Sequence, residues 1–240
     1  VSAFLLNRSS DLWVNAGGNA IGGGAFPPMT KQQLIDLLGV ADGDIEGFWK
    51  LDETSGNATD LSANSYNLTD TNTVGSSDDG LIGKARDFES SASEYLTIAD
   101  ASCANLELTG SRTFFAFIKP ESLGTNMHIM GKSPTDAANY SRIYVSATGK
   151  VGITATGLTT NTTVVSDVSV EAGKWYLIVG VIDIAGTSME IWVNGVKKSV
   201  TCSGASADTN GAWSIGRLGV WTGGEYFDGL IQNAGVLSVA

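Results

Sequence analysis

Between Gly47 and about Gly235 the chain alternates apolar and polar residues in short runs, each closed by Gly, Asn, Asp or Ser. A period of two sends successive side chains to opposite faces of a strand, so each run is read as a strand with a buried face. The clearest case is the run 174–183 followed by 188–193, which ends at Asn194-Gly195 and leads into 196–201. A type I′ turn needs φ > 0 at both central residues, which makes Asn-Gly a strong hairpin signal. Further strands are expected near 47–51, 65–69, 95–98, 112–119, 127–132, 141–146, 150–156, 162–166, 212–216 and 226–234. Phe115, Phe117, Trp175, Leu177, Val179, Ile191 and Val193 are expected to face inward. So many short strands at this spacing predict an all-β fold, a two-sheet antiparallel jelly-roll sandwich.

Residues 1–46 follow a different pattern. Ala3-Phe4-Leu5-Leu6 and Leu12-Trp13-Val14 are isolated apolar patches before a glycine-rich stretch at 17–24. Thr30 with Gln33 three residues later makes a capping box, Leu34, Leu37 and Leu38 share one helical face, and Gly39 is placed to end the turn. A short helix is therefore expected near 30–39. One such helix cannot bury its own apolar face, so it must dock on the β-domain or on another chain. The predicted organisation is an N-terminal arm or tether at 1–46 and a jelly-roll domain at 47–240.

Composition narrows the function classes. The chain of 240 residues is 42% hydrophobic, enough for a core, and its 30 glycines suit many tight turns. A formal net charge of −11 argues against nucleic acid, whose phosphates call for clustered Lys and Arg. No apolar stretch approaches the ~20 residues that a membrane span needs. The start at Val1, with neither Met nor a recognisable signal peptide, reads as a processed chain or a fragment. Two cysteines, Cys103 and Cys202, are too few for a disulfide scaffold or a zinc site; one bridge or two thiols are both compatible with the sequence.

An ordered series of motifs resembles the laminin-G-like and concanavalin-A-like jelly rolls. It runs Gly47-Phe48-Trp49-Lys50-Leu51-Asp52-Glu53, Asp60-Leu61-Ser62-Ala63-Asn64, Gly83-Lys84-Ala85-Arg86-Asp87-Phe88 and Glu94-Tyr95-Leu96-Thr97-Ile98. It continues through Arg112–Pro120, Gly173-Lys174-Trp175, Trp192-Val193-Asn194-Gly195, Ser214-Ile215-Gly216-Arg217 and Phe227-Asp228-Gly229-Leu230-Ile231. The resemblance implies the sandwich fold, and the fold alone hosts lectins, adhesion modules, glucanases and structural domains. It also implies a structural calcium site joining the Asp60 loop to the final strand. The family's acidic residues after Gly-Leu-Ile are replaced here by Gln232-Asn233.

Candidate chemistry follows from a few constellations. Retaining glycoside hydrolysis needs two carboxyl groups ~5–5.5 Å apart. Glu190 has Trp192 and Asn194 where partners two and four residues on would stand, and Asp52-Glu53 are adjacent, so the chain is read as non-enzymatic. His128, the only histidine, has no nucleophile elbow beside it and reads as a half-buried strand residue. Asp60, Ser62 and Asn64 present oxygens at i, i+2 and i+4; with Asp228 they are the expected Ca²⁺ ligands, though the same residues also suit side-chain-to-backbone turns. For a glycan, Trp221 between glycines and Tyr140 beside Asn139 offer aromatic faces, with Glu225 near as a polar partner. Five Asn-x-Ser/Thr sites, beginning at Asn7, Asn57, Asn67, Asn139 and Asn161, match the N-glycosylation acceptor pattern.

The expected function is non-catalytic recognition of a glycan or cell-surface polysaccharide, at an extracellular or particle-surface location. The alternative is a structural virion decoration, fibre or surface-layer subunit, assembled with other copies or particle subunits through residues 1–46.

Overall fold

The computed structural model describes residues 30–107, 109–133, 140–206, 210–218 and 224–240, with the backbone of three short strands nearer the N-terminus. The side chains of Leu34, Leu37 and Glu107 lie outside that description. The three early strands, β1 (Leu5–Leu6), β2 (Leu12–Val14) and β3 (Ala20–Gly23), form an antiparallel sheet of their own in that order.

The helix α1 (Lys31–Leu38) starts and stops as its sequence dictates. Thr30 Oγ1 accepts the Gln33 N–H at 3.2 Å, and Gln33 Oε1 accepts the Thr30 N–H at 2.8 Å. Gly39 closes the helix at φ +66°, a left-handed conformation that a Cβ would strain.

The sandwich strands follow: β4 (Ile45–Trp49), β5 (Thr69–Thr71), β6 (Gly75–Ser77), β7 (Ala85–Phe88), β8 (Tyr95–Ile98), β9 (Arg112–Pro120), β10 (Met127–Ser133) and β11 (Ser141–Val145). Then come β12 (Lys150–Ala155), β13 (Thr163–Ser169), β14 (Tyr176–Asp183), β15 (Ser188–Val193), β16 (Val196–Thr201), β17 (Ala212–Ile215) and β18 (Gly229–Leu237). One sheet runs β13-β12-β11-β10-β17-β8-β5; the facing sheet runs β16-β15-β14-β9-β18-β7-β6, with β4 also paired to β18. Every pairing is antiparallel. The Asn194-Gly195 hairpin is present: the two residues sit at φ +47° and +82°, and Val193 pairs with Val196.

The core lies between the sheets. Phe114 from one sheet stacks on Trp213 from the other at 5.8 Å, and Trp213 stacks on Trp49 at 6.3 Å. Trp49 donates its indole N–H to the Tyr66 carbonyl at 2.9 Å. Gly47 leaves room for that indole, since a Cβ there would stand 2.4 Å from the ring. Arg86 is fully buried at the sandwich edge, where it donates to the carbonyls of Gly56, Val74 and Gly75 and pairs with Asp70 at 3.2 Å. Cys103 and Cys202 are both buried thiols with no disulfide between them.

Three expectations are corrected. Residues 65–67 form a loop, Leu68 makes a single antiparallel bridge to Ala58, and the strand there is Thr69–Thr71. Two strands, Gly75–Ser77 at the sheet edge and Ala85–Phe88 beside it, were not read as strands, because they are short and carry little apolar alternation. Finally, in β9 and β14 it is Phe114, Ala116, Ile118, Tyr176 and Ile178 that enter the central core. Phe115 and Val179 point the other way, into a cluster with Phe48, Leu237 and Ile35, Leu38 and Val40 from and just after α1. By the same alternation Phe117 and Leu177 face outward, and Trp175, just before β14, is half-exposed. Ile191 and Val193 face inward as expected. The helix of the arm thus docks on the outer face of its own sandwich.

Candidate functional site

On the outer face of the seven-stranded sheet, β11 carries Arg142 and Tyr144 at alternate positions, while Ile143 and Val145 enter the core. Tyr140 precedes the strand, anchored by its own N–H to Thr156 Oγ1 at 2.7 Å. The Arg142 guanidinium lies between two rings, 5.0 Å from the centroid of Tyr140 and 4.6 Å from that of Tyr144. Tyr144 lies flat across Gly152 of the next strand, where a Cβ would come within 2.5 Å of the ring. Each planar group is half-buried, so one side of the stack meets solvent.

Beside this stack sits His128, fully buried on β10 and paired in register with Tyr144. A β-bulge between His128 and Met130 sets its aim. Glu225 clasps it twice: the Glu225 carbonyl accepts the His128 N–H at 3.2 Å, and Glu225 Oε2 lies 2.6 Å from His128 Nε2. Arg142 Nη1 approaches the same carboxylate at 3.6 Å, and Asn126 Nδ2 donates to Oε1 at 3.2 Å. These donors hold the Glu225 carboxyl down to about 2, with the His128 hydrogen bond the largest cause. Burial holds His128 below its ordinary value despite the carboxylate beside it. The imidazole is therefore neutral, donating from Nε2 to Glu225, and its buried Nδ1 has no hydrogen-bond partner.

Two of the four expected ligand contacts, Tyr140 and Glu225, thus meet through Arg142. Trp221 and Asn139 lie outside the described residues. Sequence reasoning missed Arg142 and Tyr144, although Tyr140-x-Arg142-x-Tyr144 has the i, i+2, i+4 spacing of one strand face. His128 was read as a half-buried strand residue; it is wholly buried, because the Glu225 segment crosses over it.

The expected calcium ligands do not form one site. Asp60 is buried, and its two oxygens accept from four donors: the N–H groups of Phe48, Ser62 and Tyr66 and the Ser62 hydroxyl, at 2.6–2.9 Å. Ser62 and Asn64 both reach the Glu46 carbonyl. The loop is held as a side-chain-to-backbone turn. Asp60 bridges Trp49, which pairs with Ala234, whereas Asp228 precedes Gly229 at the far end of β18. That separation is roughly 15–20 Å along the strand, far beyond any ion's coordination shell. Asp228 instead bonds to the Ser90 N–H and the Ser122 hydroxyl. Gln232, standing where the resembled family carries an acid, turns its amide N–H groups to the carbonyls of Ile82 and Lys84. Its Oε1 accepts the Ile82 N–H at 3.1 Å, so both halves of the amide are taken up by backbone, and these residues do not fit the implied ion.

A separate group of acids was missed. Ligand oxygens of Asp87, Glu89 and Glu121 lie within 4.8 Å of one another, brought together at neighbouring ends of β7 and β9. Desolvation, with repulsion from Asp228 next, pushes the Asp87 carboxyl up. Glu121 is raised by desolvation and by Asp87, Glu89 and Asp228.

Comparison with known proteins agrees with this architecture. The family model for the concanavalin A-like lectin/glucanases superfamily matches residues 90–240, well over half of the chain. Domain 4 of AbnA, a GH43 extracellular arabinanase from Geobacillus stearothermophilus in complex with arabinotriose, is similar in structure at 17% identity and TM-score 0.57, over 81% of this chain and 92% of that one. The receptor-binding domain of botulinum neurotoxin mosaic serotype C/D is similar at 10% identity and TM-score 0.59, over 82% of this chain and 48% of that one. The botulinum neurotoxin serotype C1 binding domain is similar at 10% identity and TM-score 0.56, over 82% and 49%. The chain thus spans about half the length of those two toxin domains. No curated protein matches it by sequence.

Proposed function

The chain belongs to the concanavalin A-like lectin/glucanase superfamily, and on that footing we propose that it is a non-catalytic glycan-recognition module acting outside a cell or on a particle surface. The observation that carries this reading is the half-exposed Tyr140–Arg142–Tyr144 stack with an ionised Glu225 fixed beside it. A flat aromatic and guanidinium surface suits the apolar face of a sugar ring, while a carboxylate and the Asn126 amide suit hydroxyl groups. Glu225 is already held by His128, Asn126 and Arg142, an arrangement made for a fixed acceptor rather than a proton carrier. Trp221 belongs to the connection whose flanks, Leu218 and Glu225, both sit over β10, and so stays a candidate contact. The arabinotriose complex and the receptor-binding toxin domains, at the level of shared fold, support recognition over catalysis.

A glycan array probed with the folded wild-type chain and with Tyr140→Ala and Arg142→Gln tests this. Specific binding that weakens about tenfold in Tyr140→Ala is expected, the loss of one stacked ring. Silence across a broad array from a folded protein would transfer the assignment to the structural alternative, a particle or surface-layer subunit.

A further inference from the structure

A second stack of the same composition stands on the same sheet face. Arg217 lies over a pair of rings in contact with each other, 4.8 Å from the centroid of Tyr95 and 5.5 Å from that of Tyr226, with the two rings 6.1 Å apart. All three groups are half-buried. Tyr95 comes from β8, at the opposite side of β17 and β10 from the β11 stack.

The two stacks share one segment. Glu225 and Tyr226 are consecutive: the first fixes the β11 stack, the second completes the β8 stack. Their backbone is pinned between the stations, since Glu225 O accepts the His128 N–H and the Phe227 N–H donates to Gly216 O. Gly216 in turn donates its N–H to Ile129 O and sits at φ +83°, where a Cβ would also strike the Phe88 ring at 2.5 Å. On the other flank Leu218 packs into the space left by Gly131, with a Cβ there only 2.8 Å from its methyl. Both ends of the connection are therefore seated on β10 and β17, which fixes the spacing of the stations. From β11 to β8 is three strand spacings, roughly 14 Å.

We infer that the Tyr95–Arg217–Tyr226 stack is a second sugar-binding station, and that the ligand is an oligosaccharide of more than two units lying across the strands from β11 to β8. This rests on the glycan-recognition reading above. A monosaccharide or disaccharide engages one station; a longer chain engages both, and tethering at the first raises the effective concentration at the second. Residues 219–223, with Trp221, connect the stations in sequence.

The test is a length-graded array of plant and bacterial cell-wall oligosaccharides from one to eight units, probed with the wild type, Tyr95→Ala, Arg217→Gln and Tyr140→Ala, each checked for an unchanged near-UV circular dichroism spectrum. The expected result is affinity that rises steeply beyond two units, falls about tenfold in Tyr95→Ala or Arg217→Gln for the long ligands, and is unchanged for the short ones. Affinity independent of length, or long-ligand binding untouched by both second-station variants, overturns the inference while recognition at Tyr140 stands. Absence of any binding by the folded wild type overturns both.

Discussion

At the scale of single residues, buried polar groups decide the most. Asp60 gathers four donors into one turn, so Asp60→Ala leaves them unsatisfied in a buried place and is expected to cost about 3 kcal/mol or more. Thermal unfolding should fall by roughly 10 °C, and excess calcium should not restore it, because the carboxylate serves the fold. His128 sets a pH dependence. Its native value is depressed by burial, so its stabilising neutral state is fully present above about pH 6.5, the value of a free histidine. That contribution is lost as pH falls through the depressed value, because a proton on Nδ1 would have no acceptor. The expected outcome is a drop in melting temperature below pH 6.5 that is flattened in His128→Gln, which keeps a donor for Glu225 but does not titrate. Asp87 has the opposite sign: its carboxyl is raised, so its ionised form opposes folding, and Asp87→Asn should raise the melting temperature at neutral pH.

At the scale of elements, the strength of a sequence signal tracks how differently a segment's two faces are solvated. The β15–β16 hairpin was legible to the residue, because Asn194 and Gly195 answer a backbone demand for positive φ that few residues meet. Gly195→Ala should destabilise the hairpin by about 1 kcal/mol, measurable as a shift in the urea midpoint. The capping box and Gly39 marked α1 equally well. The facing of β9 and β14 was not legible. Thr113-Phe114-Phe115-Ala116-Phe117-Ile118 is apolar on both faces, and a slip of one residue exchanges the faces without changing the pattern. Only the docking of α1 over Phe115, Val179 and Phe48 explains why the outer face is apolar too.

At the scale of the whole molecule, the sequence by itself determined the class: strand-length alternation, turn residues and the order of the motifs specify an antiparallel sandwich, because these are local demands of backbone geometry and of burying one face. Tyr140 and Glu225 were legible as surface aromatic and acid, but not as neighbours, being 85 positions apart. What only the tertiary structure decided is which distant residues share a face. Pairing β10 with β11 carries His128 beside Tyr144, and pairing β17 with β8 brings Arg217 over Tyr95. Likewise the length of β18 separates Asp228 from Asp60, while strand ends bring Asp87, Glu89 and Glu121 together. The physical reason is the same throughout: a strand's own sequence sets its length and polarity, whereas its register against non-adjacent strands is chosen by packing the shared core of Trp49, Phe114 and Trp213.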